Sequence, residues 1–324
     1  MKTKQNKKYL TLKDTTISFL DFVKKFNSEK KAMQYLSKIR WSENMTCPFC
    51  GHSHSYKQSR KGVSGYYRCS KCNKVFTVRT GTIFERSHIP LTKWLYACYK
   101  VITARKGISS VQLGLELGIT QKTAWFMLQR IRSGCSNTID LQKLRGFVEA
   151  DGAYFGGSEK CKHKSKKRNA GRGAVGKTCV LGMKQRGKDG KVKAVVIHGT
   201  THDVVYPVLQ SHIDSNAHLM TDEATVYEKV PFEKHGVVKH HAAQFVDGDA
   251  YTNGIESVWS IMKRGWKGIY HHFSSKHLQL YVNEFCFRLN EGKCCYKLDD
   301  RIKVLCGFGI KGEHLTYKQL KKAA

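Results

Sequence analysis

Two cysteine pairs, Cys47-Pro48-Phe49-Cys50 and Cys69-Ser70-Lys71-Cys72, lie 18 residues apart and constrain this chain more than any other feature. A C-x2-C knuckle turns two thiolates inward, and two such knuckles at this spacing close a tetrahedron around zinc. The stretch they bracket is too short to fold on an apolar core, so the metal supplies the folding energy. Gly51 follows the first knuckle, and Tyr66, Tyr67 and Phe76 are placed to cover the metal with a small sheet. His52 and His54 read as surface residues, because four thiolates already satisfy the ion. The expectation is a structural Zn2+ held by Cys47, Cys50, Cys69 and Cys72, with a redox pair as the competing reading. The other eight cysteines are scattered, and Met1–Lys13 lacks the apolar core of a signal peptide. Reduced thiols in a cytosol follow from both.

What the rest of the chain meets is set by charge. Lys and Arg outnumber Asp and Glu 57 to 25, a net charge of +32. That excess predicts a polyanionic partner, nucleic acid first, because neutralised phosphates release counterions. A membrane surface is second, but no apolar run approaches the roughly 20 residues that span a bilayer. The length of 324 residues allows two or three domains.

Residues 15 to 40 read as one helix from the spacing of Phe19, Leu20, Val23, Phe26, Ala32, Tyr35, Leu36 and Ile39. Residues 90 to 133 are helical again. Within them a helix ends at Gly118, and Thr120 caps the next. Ile119 would plug the angle of a helix-turn-helix, with Gln121, Lys122 and Thr123 on the early turns of a recognition helix. Ala124, Met127, Leu128 and Ile131 would face the core, leaving Arg130 and Arg132 for phosphates. An ordinary helical hairpin is the competing reading.

From Phe147 strands begin: about 147–154, 179–183 and 192–198, with Lys188-Asp189-Gly190-Lys191 as a hairpin turn between the last two. A helix (203–213), a strand ending at Asp222, a short helix, a strand (237–239) and helices at 253–264 and 276–290 follow. The order β-β-β-α-β-α-β-α-α predicts a mixed α/β (α+β) sheet covered by helices.

Asp151 and Asp222 sit at or near strand ends, and Glu256 opens a helix 34 positions after Asp222. Carboxylates converging on one sheet edge can hold two metal ions about 3.5–4 Å apart, the arrangement phosphodiester chemistry uses. Lys263 is two turns along from Glu256 on the same helix face, suited to the DNA backbone, with Arg264 beside it. Asn253, one turn earlier, could also reach the metals, and Glu149 shares a strand face with Asp151 as the best substitute for it.

The segments Val148-Glu149-Ala150-Asp151-Gly152-Ala153-Tyr154-Phe155-Gly156-Gly157, Met220-Thr221-Asp222 and Thr252 to Gly265 resemble insertion-sequence transposases with an N-terminal zinc ribbon, the fifteen-ninety-five family. Thr77 to Trp94, Tyr270-His271-His272 and Lys276-His277-Leu278-Gln279 add to the resemblance, which spans roughly residues 20 to 292. It implies an RNase H-like fold and a DDE mechanism with Mg2+ (or Mn2+) at Asp151, Asp222 and Glu256. It also implies cutting of the element's terminal inverted repeats and joining to target DNA by a multimer on double-stranded DNA, in a prokaryotic cytoplasm at the nucleoid. In part of the family the third acidic position is Asn followed by Lys, and both Asn253 and Glu256 are present here. Glu256 is preferred, since a carboxylate is the stronger magnesium ligand.

Gly171-Arg172-Gly173-Ala174-Val175-Gly176-Lys177-Thr178 matches a P-loop pattern, but a lysine-rich loop precedes it and a strand follows. That order is the reverse of what nucleotide binding needs, so no nucleotide cofactor is expected. The loop holds eight Lys/Arg and no acid between Lys160 and Lys177; Lys164, Lys166, Lys167 and Arg168 are candidate DNA contacts, and a solvated loop is the plainer reading. His271-His272 reads as DNA contact or core packing. The expected divisions are a helical segment (1–40), a zinc ribbon (41–84), a helix-turn-helix region (85–140), a catalytic domain (141–292) and a basic tail (293–324). A nuclease or resolvase of the same fold, and an inert DNA-binding regulator, are the alternatives.

Overall fold

The computed structural model describes residues 18–42, 44–60, 63–104, 106–136, 142–157, 163–167, 174–187, 189–228, 230–238, 251–291, 298–311 and 315–322. The first elements are α1 (Phe19–Lys25), α2 (Glu29–Trp41), β1 (Ser55–Arg60), β2 (Val63–Cys69), β3 (Val75–Thr77), α3 (Leu91–Thr103), α4 (Ser110–Leu117) and α5 (Gln121–Cys135). Then come β4 (Phe147–Phe155), β5 (Thr178–Gln185), β6 (Val192–Ile197), α6 (His202–His212), β7 (His218–Asp222) and β8 (Lys234–Val238). The last are α7 (Asn253–Gly265), α8 (Leu278–Glu291), α9 (Leu298–Lys311) and α10 (Tyr317–Lys322). They form two compact units: Met1–Arg105, Ser110–Asn137 and Glu291–Thr316 in one, Lys106–Ser109, Thr138–Asn290 and Tyr317–Ala324 in the other.

In the first unit the single helix expected over 15–40 is two. The Ser28 hydroxyl accepts the Lys31 N–H at 3.4 Å and starts α2 afresh after α1 closes at Phe26. Short polar side chains favour such caps over helix interior. The strands pair in the order β1-β2-β3, and Tyr67 and Phe76 stack beneath Trp41. Helix α3 starts at Pro90 without a side-chain cap of its own. The Glu29 carboxylate supplies one from α2, accepting the N–H of Leu91 at 2.9 Å and of Thr92 at 3.3 Å while pairing with Arg79 at 2.8 Å.

The 90–133 stretch is three helices. Gly118 takes a left-handed φ of +58°, and the Thr120 hydroxyl accepts the Thr123 N–H at 3.2 Å. Ala124, Met127, Leu128 and Ile131 are buried. The segment 293–324, expected as a basic tail, carries α9 and α10. Helix α9 buries Ile302, Leu305 and Cys306 and packs against α2, α3 and α5. Its Gly309 Cα would lie 3.3 Å from a Cβ on Gly134 of α5, so the two glycines let the helix backbones meet closely.

The second unit is built on one sheet in the order β6-β5-β4-β7-β8. Strands β4, β5 and β6 are antiparallel neighbours; β7 and β8 run parallel to β4. The β5–β6 turn is closed by Gln185 N–H to Lys191 O at 2.9 Å. Strand β8 begins at Lys234, before the expected 237–239, of which Lys239 lies outside the described residues, and a 3-10 turn (Thr225–Tyr227) takes the place of the short helix. Residues alternate across β4, as strand geometry requires. Ala153 and Phe155 face Ile255, Val258, Trp259 and Met262 of α7 and Leu278, Val282 and Phe285 of α8. Val148 and Ala150 face Val205 and Leu209 of α6 on the opposite side. Helices therefore cover both faces and leave a sheet end open for chemistry.

Candidate active site and metal centre

In the first unit the four cysteine thiols converge. Their sulfur atoms all lie within 4.8 Å of one another, with Cys47 Sγ 3.7 Å from Cys72 Sγ and Cys50 Sγ 3.6 Å from Cys69 Sγ. Zn–S bonds of about 2.3 Å give tetrahedral edges of about 3.8 Å, so the cage already has the dimensions of the ion. The knuckle backbone orients the sulfurs: Gly51, at φ +72°, donates to Cys47 O, and Asn73, at φ +55°, donates to Cys69 O. The Cys72 N–H, with that of Lys71 and against the opposing effect of burial, draws the Cys69 thiol down to about 7, while, against the His52 N–H, burial and the neighbouring thiols push Cys50 up to about 11, so the thiols share protons that a metal would displace.

In the second unit the aspartates meet through sheet register. Parallel strands β4 and β7 pair Phe147 with His218, Val148 with Leu219 and Glu149 with Met220. The same offset of 71 places Asp151 opposite Asp222, just past the last paired residues, on the α7 face. The Asp151 carboxyl is pushed up to about 6, chiefly by burial and next by the charge of Asp222, with Glu256 adding a smaller push. Buried Tyr227 feels both aspartates: its phenol is raised by burial, then by Asp151 and Asp222.

Two hydrogen bonds aim Asp151. Oδ1 accepts its neighbour Gly152 N–H at 2.7 Å, and Oδ2 accepts the Trp259 indole N–H at 2.9 Å. Trp259 reaches it across Gly182, the residue paired with Asp151 on β5; a Cβ there would come within 2.5 Å of the indole. Sequence reasoning gives Trp259 no role of its own; it enters there only within the segment Thr252 to Gly265.

Glu256 is exposed on the first turn of α7, next to Thr252. It lines a groove of about 740 Å³ together with Asp151, Trp259, Lys263 and Arg264. Asn253, on the same turn, is exposed and is not part of the groove wall. The π-helical turn Trp266–Tyr270 extends α7 and adds Lys267; Lys106 adds another cation. Neither lysine stands out in the sequence. Lys267 carries a faint signal, four positions beyond Lys263, while Lys106 reaches the groove from far away in the chain and carries none. Among the described residues, the cysteines alone form a one-ion cluster, and the three acids are spread more widely.

Glu149, the alternative to Asp151, is already engaged. Only 1% exposed, it accepts Arg186 Nε at 2.8 Å on one oxygen and Ile255 N–H at 2.8 Å on the other.

Of the residues expected on DNA, Gln121 and Lys122 are exposed on the first turn of α5, while Thr123 shares its hydroxyl with Thr120. Arg130 and Arg132 are corrected. Both are 1% exposed, and Arg130 donates to Glu85 O at 2.8 Å between the rings of Trp94 and Phe126. Burial lowers its guanidinium to about 10. For Arg130 the cause is Glu85 and Trp94, which come from before α5 in the chain and cover a helix side that sequence periodicity left to solvent. Lys164 and Lys167 are exposed on a 3-10 turn; Arg168 and the side chain of Lys166 lie outside the described residues. The glycine-rich run enters strand β5 at Thr178, and its residues 171–173 are also outside the described residues. His271 and His272 are exposed, which removes core packing as their role. Among the described residues no helix is long and apolar enough to cross a membrane.

The ISXO2-like transposase domain matches residues 143–290, which hold all three acids. The transposase zinc-ribbon domain matches residues 27–75, which hold all four cysteines. The uncharacterized protein in transposable element ISH50 of Halobacterium salinarum is 28% identical over 280 residues, covering 82% of this chain and 92% of that protein. No solved structure matches the chain. The ribbon match and the thiol cage together support a structural zinc ion at Cys47, Cys50, Cys69 and Cys72.

Proposed function

Because this chain belongs to the ISXO2-like transposases of the fifteen-ninety-five family of insertion sequences, we propose that it cuts the ends of a DNA element and joins them to target DNA. Asp151, Asp222 and Glu256 are its DDE residues. One observation carries this: β4–β7 register sets Asp151 level with Asp222, while α7 brings Glu256 into the groove that Asp151 lines. The sheet order, three antiparallel strands extended by two parallel ones under helices on both faces, supports an RNase H-like domain over 141–292. Its companions are the ribbon over 41–84 and a helix-turn-helix region over 85–140.

Magnesium or manganese fits the donor set. Three carboxylates are hard oxygen donors, and Asp151, pushed up by burial and next by the charge of Asp222, would be eased back to its ionised form by a bound divalent cation. When bound, the metal supplies Lewis-acid activation of the attacking oxygen and charge stabilisation of the leaving one. The chain does the positioning. Trp259 fixes the direction of Asp151, and Lys106, Lys263, Arg264 and Lys267 give the groove a cationic wall for backbone phosphates. In the first step a water oxygen bonds to phosphorus and the P–O3′ bond breaks, freeing the element's 3′-hydroxyl. In the second that 3′ oxygen bonds to a target phosphorus and displaces a target 3′ oxygen, so bond number is conserved. Gln121, Lys122 and Thr123 open the helix that would read the terminal repeats, and a homo-oligomer on double-stranded DNA would bring two ends together.

Strand transfer of a labelled terminal repeat with Mg2+ tests this. Joined product from wild type, and none from Asp151→Ala or Asp222→Ala, is expected. Cleavage without joining would indicate a nuclease or resolvase. Specific binding with no chemistry in wild type would indicate an inert regulator.

A further inference from the structure

Glu149 is a buried carboxylate that the proposed chemistry does not use. It stands two residues before Asp151 on the same face of β4, and both its oxygens point at the start of α7. Oε2 accepts the Ile255 N–H at 2.8 Å, one of the helix-terminal donors that have no partner within the helix. Thr252, the cap residue, gives α7 no side-chain cap, so Glu149 takes over that task from a different element. Oε1 accepts Arg186 Nε at 2.8 Å. The same guanidinium lies 3.4 Å from the centre of the Tyr251 ring and donates to Tyr251 O at 2.6 Å. Lys184 adds a bond to Gly254 O at 3.1 Å.

Space is reserved for the contact. A Cβ on Gly254 would lie 2.5 Å from Glu149 Oε2, so glycine at this point of the helix lets the carboxylate dock on the backbone. Burying an ion pair brings little net stability compared with apolar packing. What this pair does bring is direction, since a carboxylate at a helix N-terminus is favoured by the helix dipole and its bonds are short and oriented.

We infer that Glu149 is a positioning residue that locks the first turn of α7 onto β4 and thereby sets Glu256 opposite Asp151. The inference rests on the proposed pairing of those two acids. Glu149 acts through the helix backbone, and it is set apart from the metal by its full engagement with Arg186 and Ile255.

The test uses the full-length zinc-loaded chain and two substitutions that attack the contact from opposite sides, E149Q and G254A. Backbone hydrogen exchange without DNA or Mg2+ is the first readout. Exchange at residues 253–257 is expected to quicken at least tenfold in both variants, with β4 and β5 changed less than twofold. The second readout is the Mg2+ concentration that half-saturates thermal stabilisation, expected to rise at least tenfold. For end cleavage, the half-saturating Mg2+ rises similarly while KM for the DNA end stays within twofold. Wild-type exchange at 253–257 in folded variants would overturn the inference. So would exchange quickened equally through the whole sheet, or loss of the sheet in both variants, because Glu149 would then support the fold and not the placement of α7. Failure of wild type to join DNA counts against the proposed function alone, since the exchange readout involves neither DNA nor Mg2+.

Discussion

The indole N–H of Trp259 donates to Asp151 Oδ2 at 2.9 Å, joining the interior of α7 to the centre of the sheet. The bond depends on Gly182, which leaves the slot the indole occupies. It holds one oxygen of a carboxylate that burial and Asp222 would otherwise leave more easily protonated. Apolar packing and site geometry thus share one side chain.

Trp259→Phe keeps an aromatic ring and removes the donor. With the hydrogen bond gone, Asp151 rises above its position near 6, so its ionised fraction falls at any given acidic pH. The acid limb of Mg2+-dependent end cleavage is expected to move to higher pH, with a loss of about tenfold at the limb for each 1.4 kcal/mol of bond energy removed. A pH–rate profile at fixed Mg2+ checks this; an unmoved limb would separate Trp259 from Asp151.

Asp151→Asn is expected to stabilise the metal-free chain. The carboxyl is raised from 3.8 to about 6 on folding. Between those values the folded state holds a proton that the unfolded state has lost. Stability from this group is therefore complete below about 3.8, declines as pH rises, and is gone above about 6. Denaturant titrations should show wild type and variant converging at low pH and separating by roughly 1–2 kcal/mol above pH 7, after discounting for partial exposure. A variant less stable than wild type at pH 8 would contradict this. The variant should also lose Mg2+-dependent stabilisation.

Zinc removal should unfold the ribbon. Among the described residues between 47 and 77, only Phe76 and the cysteines Cys47 and Cys69 are buried. Structural zinc contributes about 10–16 kcal/mol of apparent binding energy in small ribbons and fingers. Cys69→Ser should reduce bound zinc, measured by atomic absorption, to near zero, and a strong chelator should make residues 47–77 protease-sensitive. A ribbon that resists proteolysis without zinc would refute the metal's structural role.

Lys263→Ala and Lys267→Ala remove cations from the groove wall. For every phosphate left without its lysine, the slope of log affinity against log salt should become shallower by about 0.9. Fluorescence anisotropy of end DNA across a KCl series measures the slope. An unchanged slope in the double variant would place the DNA elsewhere.

The zinc cage was legible because its determinants are local: two knuckles, a fixed spacing and turn residues fix it with little help from the rest of the chain. The order of strands and helices in the second unit was legible for the same reason, since period-2 and helical patterns are set by nearest neighbours. The Thr120 cap and the buried stripe of α5 belong here as well.

Side-chain surroundings were another matter. Arg130 and Arg132 fall on the polar side of α5 by periodicity, yet both are buried, Arg130 against Glu85 and Trp94 from more than 35 positions earlier. Glu149 and Asp151 are equivalent on paper, two acids on one strand face. Only the docking of α7 and the pairing of β5 engage Glu149 with Ile255 and Arg186 and leave Asp151 facing the groove. Sequence by itself determined what each segment becomes, because local backbone preferences and metal-ligand spacing act over a few residues. Tertiary structure alone decided which charged groups remain able to act, because that depends on desolvation and on partners that arrive from distant parts of the chain.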